Sequence, residues 1–148
     1  MLIAPQMPPA SRTVPTYTQT LTLTPESPAL ARMSTRTTLE CWGLTELVDD
    51  AMMVVSELVT NAVRHAHPLP ADPGEPGRCR LTLERPEPDM VRVWVMDSSS
   101  RPVVRRTPDD DCETGRGLDV VDALATRWEV MTRLTGGKAV WAEVKAPA

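Results

Sequence analysis

A small α/β domain is what this sequence predicts, on three observations. Short alternating runs suited to strands recur along the chain, one long amphipathic segment at residues 45–66 has helical period, and 148 residues suffice for one core but not for two full domains. Residues 1–16, rich in Pro, Ser and Thr and without periodicity, read as a flexible tail ahead of a single domain at 17–146. Thr alternating with Tyr17, Gln19, Leu21 and Leu23 predicts the first strand. Thr24 then has the form of an N-cap with Pro25 at the first helical position, so a helix is expected to run to about Cys41, where Gly43 stops it.

The central helix follows. Thr45 can cap it, Glu46, Asp49 and Asp50 lie at its positive end, and Leu47, Val48, Ala51, Met52, Val55, Leu58, Val59, Ala62 and Val63 form a wide apolar face ending at Ala66. Residues 68–77, dense in Pro and Gly, predict a surface loop. Residues 78–85 and 90–97 alternate as strands across the tight Pro86-Glu87-Pro88-Asp89 connection, which predicts an antiparallel pair. Residues 98–114 are polar and acidic and read as a lid, followed by a short helix at 117–126. Residues 128–133 and 138–145 complete a hairpin around Gly136-Gly137.

Composition narrows the classes. A net charge of -4 without a Lys- or Arg-rich block gives no electrostatic footprint for direct nucleic-acid binding. Three cysteines, an odd number without C-x-x-C spacing, predict neither a disulfide framework nor a zinc site and point to a reducing compartment. No export signal and no run of about 18 apolar residues is seen, so a cytoplasmic protein without membrane contact is expected. Phe is absent and Tyr occurs once, so Val, Leu, Ala and Met build the core with Trp42, Trp94, Trp128 and Trp141.

Three features carry chemistry. At about 100° per residue, Asp50, Glu57, Asn61 and His65 fall within roughly 80° of one another on the long helix, with Arg64 beside them. A carboxylate and an amide four residues apart can take a proton from a hydroxyl and meet a hard cation such as Mg²⁺. Taken singly, such a stripe also suits a helix facing water. Asp97 ends a strand whose Val91, Val93 and Val95 share its face, placing an acceptor where it can read an amino group on a flat ring, or form a turn. Gly115-Arg116-Gly117-Leu118, at the expected start of a helix, lets backbone and first-turn amides approach phosphate, although a plain turn has the same spacing.

The order of the three is more specific than any one of them. Ser56-Glu57-Leu58-Val59-Thr60-Asn61-Ala62 resembles the N box of the GHKL (histidine-kinase-like) ATPases, Asp97 their adenine-reading aspartate, and Gly115-Arg116-Gly117-Leu118 their later glycine box; the likeness spans residues 21–144. Together with Asp97-Ser98-Ser99-Ser100-Arg101-Pro102, the wording is similar to that of stand-alone anti-sigma factor serine kinases and their actinobacterial ATP-binding relatives. The resemblance implies a Bergerat-type two-layer α/β sandwich, a mixed, mostly antiparallel sheet with helices on one face. ATP and Mg²⁺ are the implied cofactors. Asn61 would ligate the metal, Glu57 would be the general base, Asp97 would receive the adenine amino group, and Arg101, Gly115, Arg116, Gly117 and Leu118 would join Asn61 and Asp97 in holding the nucleotide. The implied activity is phosphorylation of a Ser or Thr on an anti-sigma antagonist protein, with a sigma factor as a further partner and a homodimer as a further state. The alternative is an ATP-dependent partner switch with negligible turnover. Two departures stand out: Ser99 replaces a frequent glycine, and Ala139 stands where a threonine near the adenine is expected.

Overall fold

The computed structural model describes residues 14–65, 77–97, 112–132 and 137–147, with backbone alone at 112–117. Five strands form one sheet: β1 (Thr16–Thr22), β2 (Arg78–Glu84), β3 (Met90–Asp97), β4 (Arg127–Thr132) and β5 (Lys138–Lys145). Their order is β1-β2-β3-β5-β4, and every pairing among the described residues is antiparallel. Among the described residues three α-helices accompany them: α1 (Ser27–Cys41), α2 (Val48–His65) and α3 (Cys112–Leu124). The expected α/β sandwich, β2–β3 pair and β4–β5 hairpin are all present.

Register assigns the faces. Tyr17, Gln19 and Leu21 align with Leu83, Leu81 and Cys79, then with Val93, Val95 and Asp97, then with Ala142, Val140 and Lys138. Because strand side chains alternate, these share one face. That face packs on the helices: Leu81, Leu83, Val91, Val93 and Val95 join Val54, Val55, Leu58 and Val59 of α2 in the main core. The α2 stripe Val48, Ala51, Val54, Val55, Leu58, Val59 and Ala62 is buried, as its period predicts. Packing, rather than propensity, therefore holds a helix with five valines.

The start of α1 differs from the expectation. Thr24 and Pro25 do not cap the helix; they belong to a turn closed by the Ser27 amide donating to the Thr24 carbonyl at 3.0 Å. Proline at the second position suits such a turn. The buried Ser27 hydroxyl accepts from the Thr24 amide at 2.9 Å and donates to the Thr22 carbonyl, so the helix begins at Ser27 with Pro28 in its first turn. Its end is as expected. Gly43 adopts φ +75°, and the Leu44 and Gly43 amides donate to the Leu39 and Glu40 carbonyls at 2.8 and 3.1 Å, a Schellman closure. The segment predicted to open the long helix at Thr45 instead makes one 3₁₀ turn, Thr45–Leu47, before α2 begins.

The opposite face of the sheet has its own small cluster. Trp94, Ala139 and Trp141 are buried there with Met96 and Met131 against them. The two indoles lie 6.1 Å apart at 41°, and the Arg127 guanidinium sits 5.4 Å above Trp141. Glu143, at 2 % exposure, is held between Arg92 at 3.4 Å and Arg127.

Candidate functional site

Helix α2 carries its apolar stripe into the core and leaves Glu57, Asn61 and His65 half-buried along one line, while Asp50 and Arg64 are exposed. One helical turn separates each member of the line, so Glu57 and Asn61 can address one ligand from one rigid element. Glu57 also borders an open groove of about 370 Å³ with Arg32, Asp49, Met52, Met53 and Ser56. Arg32 of α1 reaches across and donates to the Ser56 hydroxyl at 2.8 Å. Leu30, Met33 and Met53 remain exposed on these two helices.

Asp97 is the last residue of β3 and is buried on the face that α2 covers. Its cross-strand neighbours are Cys79 on one side and Lys138 on the other. The Lys138 ammonium lies 3.8 Å from Asp97 Oδ2, with both side chains nearly excluded from solvent. Burial, and then the charge of Asp97, push the Cys79 thiol up to about 12, so it stays neutral at physiological pH. A carboxylate, an ammonium and a neutral thiol thus make one buried row at the end of the sheet.

Two expectations are corrected here. Ala139, expected near the adenine, does not share the face of Asp97; it pairs with Met96 and packs with Trp94 and Trp141 on the opposite face. A one-residue offset in a strand inverts the face, and Lys138 takes the place beside Asp97. Second, the third helix does not open at Gly117. α3 starts at Cys112, so Gly115, Arg116, Gly117 and Leu118 lie inside it, and residues 112–114, expected in the lid, are helical. The free amides of its first turn consequently belong to residues before Gly117. The remaining lid positions, with Ser99 and Arg101, fall outside the described residues, as does Ala66.

The three motifs nevertheless lie on touching elements. α2 packs across β3 and against α3, where Leu118 is half-buried and Val121 fully so. Among the described residues no group of three or more His, Cys, Asp or Glu gathers to hold a metal. A cation here would draw on the Asn61 amide oxygen and on oxygens of the ligand itself, the arrangement typical of Mg²⁺ with phosphates. Lys138 and Cys79 were not singled out from the sequence. Pairing the last residue of one predicted strand with the first of the hairpin's return strand would have found Lys138.

No helix among the described residues is long and apolar enough to cross a membrane. Residues 21–144 match the family model of the histidine kinase-like ATPase domain. Among solved structures the chain is similar to the histidine kinase domain of the blue-light activated histidine kinase from Erythrobacter litoralis EL346, at 25% identity and a TM-score of 0.48. That likeness covers 69% of this chain and 46% of the other, so the chain spans about half the length of that neighbour. No curated protein matches. A match that takes in β2 to β5 and all three α-helices settles membership: this chain belongs to the histidine kinase-like ATPase domain family, whose fold binds ATP.

Proposed function

We propose that the chain is an ATP·Mg²⁺-binding regulatory protein that acts as an anti-sigma factor serine/threonine kinase, phosphorylating an anti-sigma antagonist, binding a sigma factor, or both. The observation that carries the nucleotide reading is the placement of Asn61 and Glu57 on the helix that packs over the strand ending in buried Asp97. Asp97 accepts the adenine amino group, and the free first-turn amides of α3, ahead of Gly117, approach the phosphates. Asn61 would hold Mg²⁺ through its amide oxygen, and the metal would supply neutralisation of phosphate charge. Glu57 takes the proton from the incoming hydroxyl as its oxygen attacks the terminal phosphorus and ADP leaves.

The wording of the motif segments favours the anti-sigma type, and the open groove beside Glu57, with Met52 and Met53 in its wall, suits a protein that delivers its hydroxyl there. The test is transfer of label from [γ-³²P]ATP to a cognate antagonist. Wild type is expected to label a Ser or Thr, and Glu57→Gln to lose the transfer while still binding ADP. Transfer at the native rate in Glu57→Gln sinks the role of Glu57. A second reading, the partner switch with negligible turnover, is favoured by exposed Leu30, Met33 and Met53, which suit a stable protein contact. Nucleotide-dependent capture of the antagonist without labelling would select it.

A further inference from the structure

A carboxylate that accepts a hydrogen bond from a neutral ring must stay ionised while the ring expels water from it. Without compensation, a desolvated carboxylate takes up a proton instead. At Asp97 the compensation is built into the sheet: Lys138 is its direct cross-strand partner, its ammonium is 3.8 Å from Oδ2, and the two side chains are 9% and 4% exposed. We propose that Lys138 is the positioning residue that keeps Asp97 an acceptor beneath a bound base, and that it thereby sets selection of 6-amino over 6-oxo purines; this rests on the nucleotide-binding reading above.

The register leaves little freedom. β3 and β5 pair from Met90↔Lys145 to Asp97↔Lys138, so a slip that removed Lys138 would also turn Trp141 and Val140 to the wrong faces. Gly137, at φ +95°, turns the chain into β5 immediately before it. Cys79, on the other flank, cannot substitute, because its thiol is neutral and carries no positive charge.

The chemistry follows from donor and acceptor counts. An ionised carboxylate presents lone pairs only, so it accepts from the 6-amino group of adenine and meets the 6-oxo group of hypoxanthine acceptor against acceptor. A protonated one gains an O–H donor and tolerates the 6-oxo group. The charge held by Lys138 is therefore read out as base choice.

The experiment is calorimetric titration of the full chain, with Mg²⁺, by ADP and by IDP. Wild type is expected to prefer ADP strongly, as a site built around a specific hydrogen bond does. In Lys138→Met and Lys138→Gln the ADP-to-IDP affinity ratio is expected to fall about tenfold or more, while Lys138→Arg stays within about threefold of wild type. A merely structural lysine would weaken both ligands alike and leave the ratio standing. A folded Met or Gln variant with the wild-type ratio overturns the proposal, and so does a wild type that does not prefer ADP. Should both neutral variants fail to fold, the ¹³C carboxyl resonance of Asp97 in the wild-type ADP complex decides: an ionised shift at neutral pH supports the role, and a protonated one overturns it. Wild type binding neither nucleotide removes the nucleotide reading itself, whereas ADP binding with an unmoved ratio in the variants removes the Lys138 role alone.

Discussion

Glu57 and Asn61 sit one turn apart on α2, yet their substitutions should separate chemistry from binding. Removing a general base costs typically 10²–10⁴-fold in rate, so Glu57→Gln is expected to lose about that much transfer with ADP affinity near wild type. Asn61→Ala is expected to do the reverse, abolishing the part of ADP affinity that Mg²⁺ adds, measured by titration with and without the metal. Cys79 makes a third prediction through its raised thiol. A folded-state value near 12 against an ordinary 9.0 means that folding favours the protonated form. The associated stability is present below about pH 9 and is lost as pH climbs toward 12. Urea midpoints in a Cys112→Ser background should fall over that window, less steeply in Cys79→Ala. In the same background at neutral pH, exposed Cys41 should react with a thiol reagent while native Cys79 does not. Rapid labelling of Cys79 in folded protein would contradict its neutral, covered state.

At the scale of elements, the ion cluster on β3, β4 and β5 is the sharpest test of the sheet. Glu143 is buried between Arg92, itself 7% exposed, and the more exposed Arg127. Removing one member of a buried pair strands the other, so Glu143→Ala should cost about 3–5 kcal/mol in urea unfolding. Glu143→Met combined with Arg92→Leu should recover most of it, because matched apolar replacements cancel the desolvation cost. Non-recovery would mean that the ions hold register rather than merely tolerate burial. The strands themselves were legible, since alternation over residues 90–97 and 138–145 matches β3 and β5 end for end. Helix termini were less so. Thr24-Pro25 satisfies the local rule for a cap, but the Ser27 hydroxyl, bonded back to the end of β1, claims the turn. Similarly, two glycines suggested a boundary at 117, whereas α3 already runs from Cys112. Gly is poor inside a helix but does not forbid one. The face of Ala139 was illegible for a different reason: it depends on the register between distant strands, which periodicity within one strand does not contain.

Over the whole molecule, α2 joins the site to the core. The helix that carries the proposed Glu57 and Asn61 pair also contributes seven buried residues, Val48 through Ala62, against the sheet and α3. A nucleotide held through α2, as proposed, would be coupled to that packing, so its binding should stabilise the entire fold rather than one loop. The sequence shows both stripes, polar and apolar, because they are written on one periodic segment; it does not show that Lys138 pairs with Asp97, which depends on the register of β3 and β5. A ligand present at 100-fold its dissociation constant adds about 2.7 kcal/mol, which for a domain of this size corresponds to roughly 5–10 °C in Tm. ADP with Mg²⁺ is therefore expected to raise the melting temperature of the full chain by that amount, as one cooperative transition. Asn61→Ala should reduce the shift by removing the metal's share, and Asp97→Asn should reduce it through lost base recognition, with the unliganded Tm also lowered because Lys138 is left buried without its counter-charge. A wild-type melt unmoved by ADP and Mg²⁺ at millimolar concentration would mean that the two stripes of α2 share a helix without sharing a ligand.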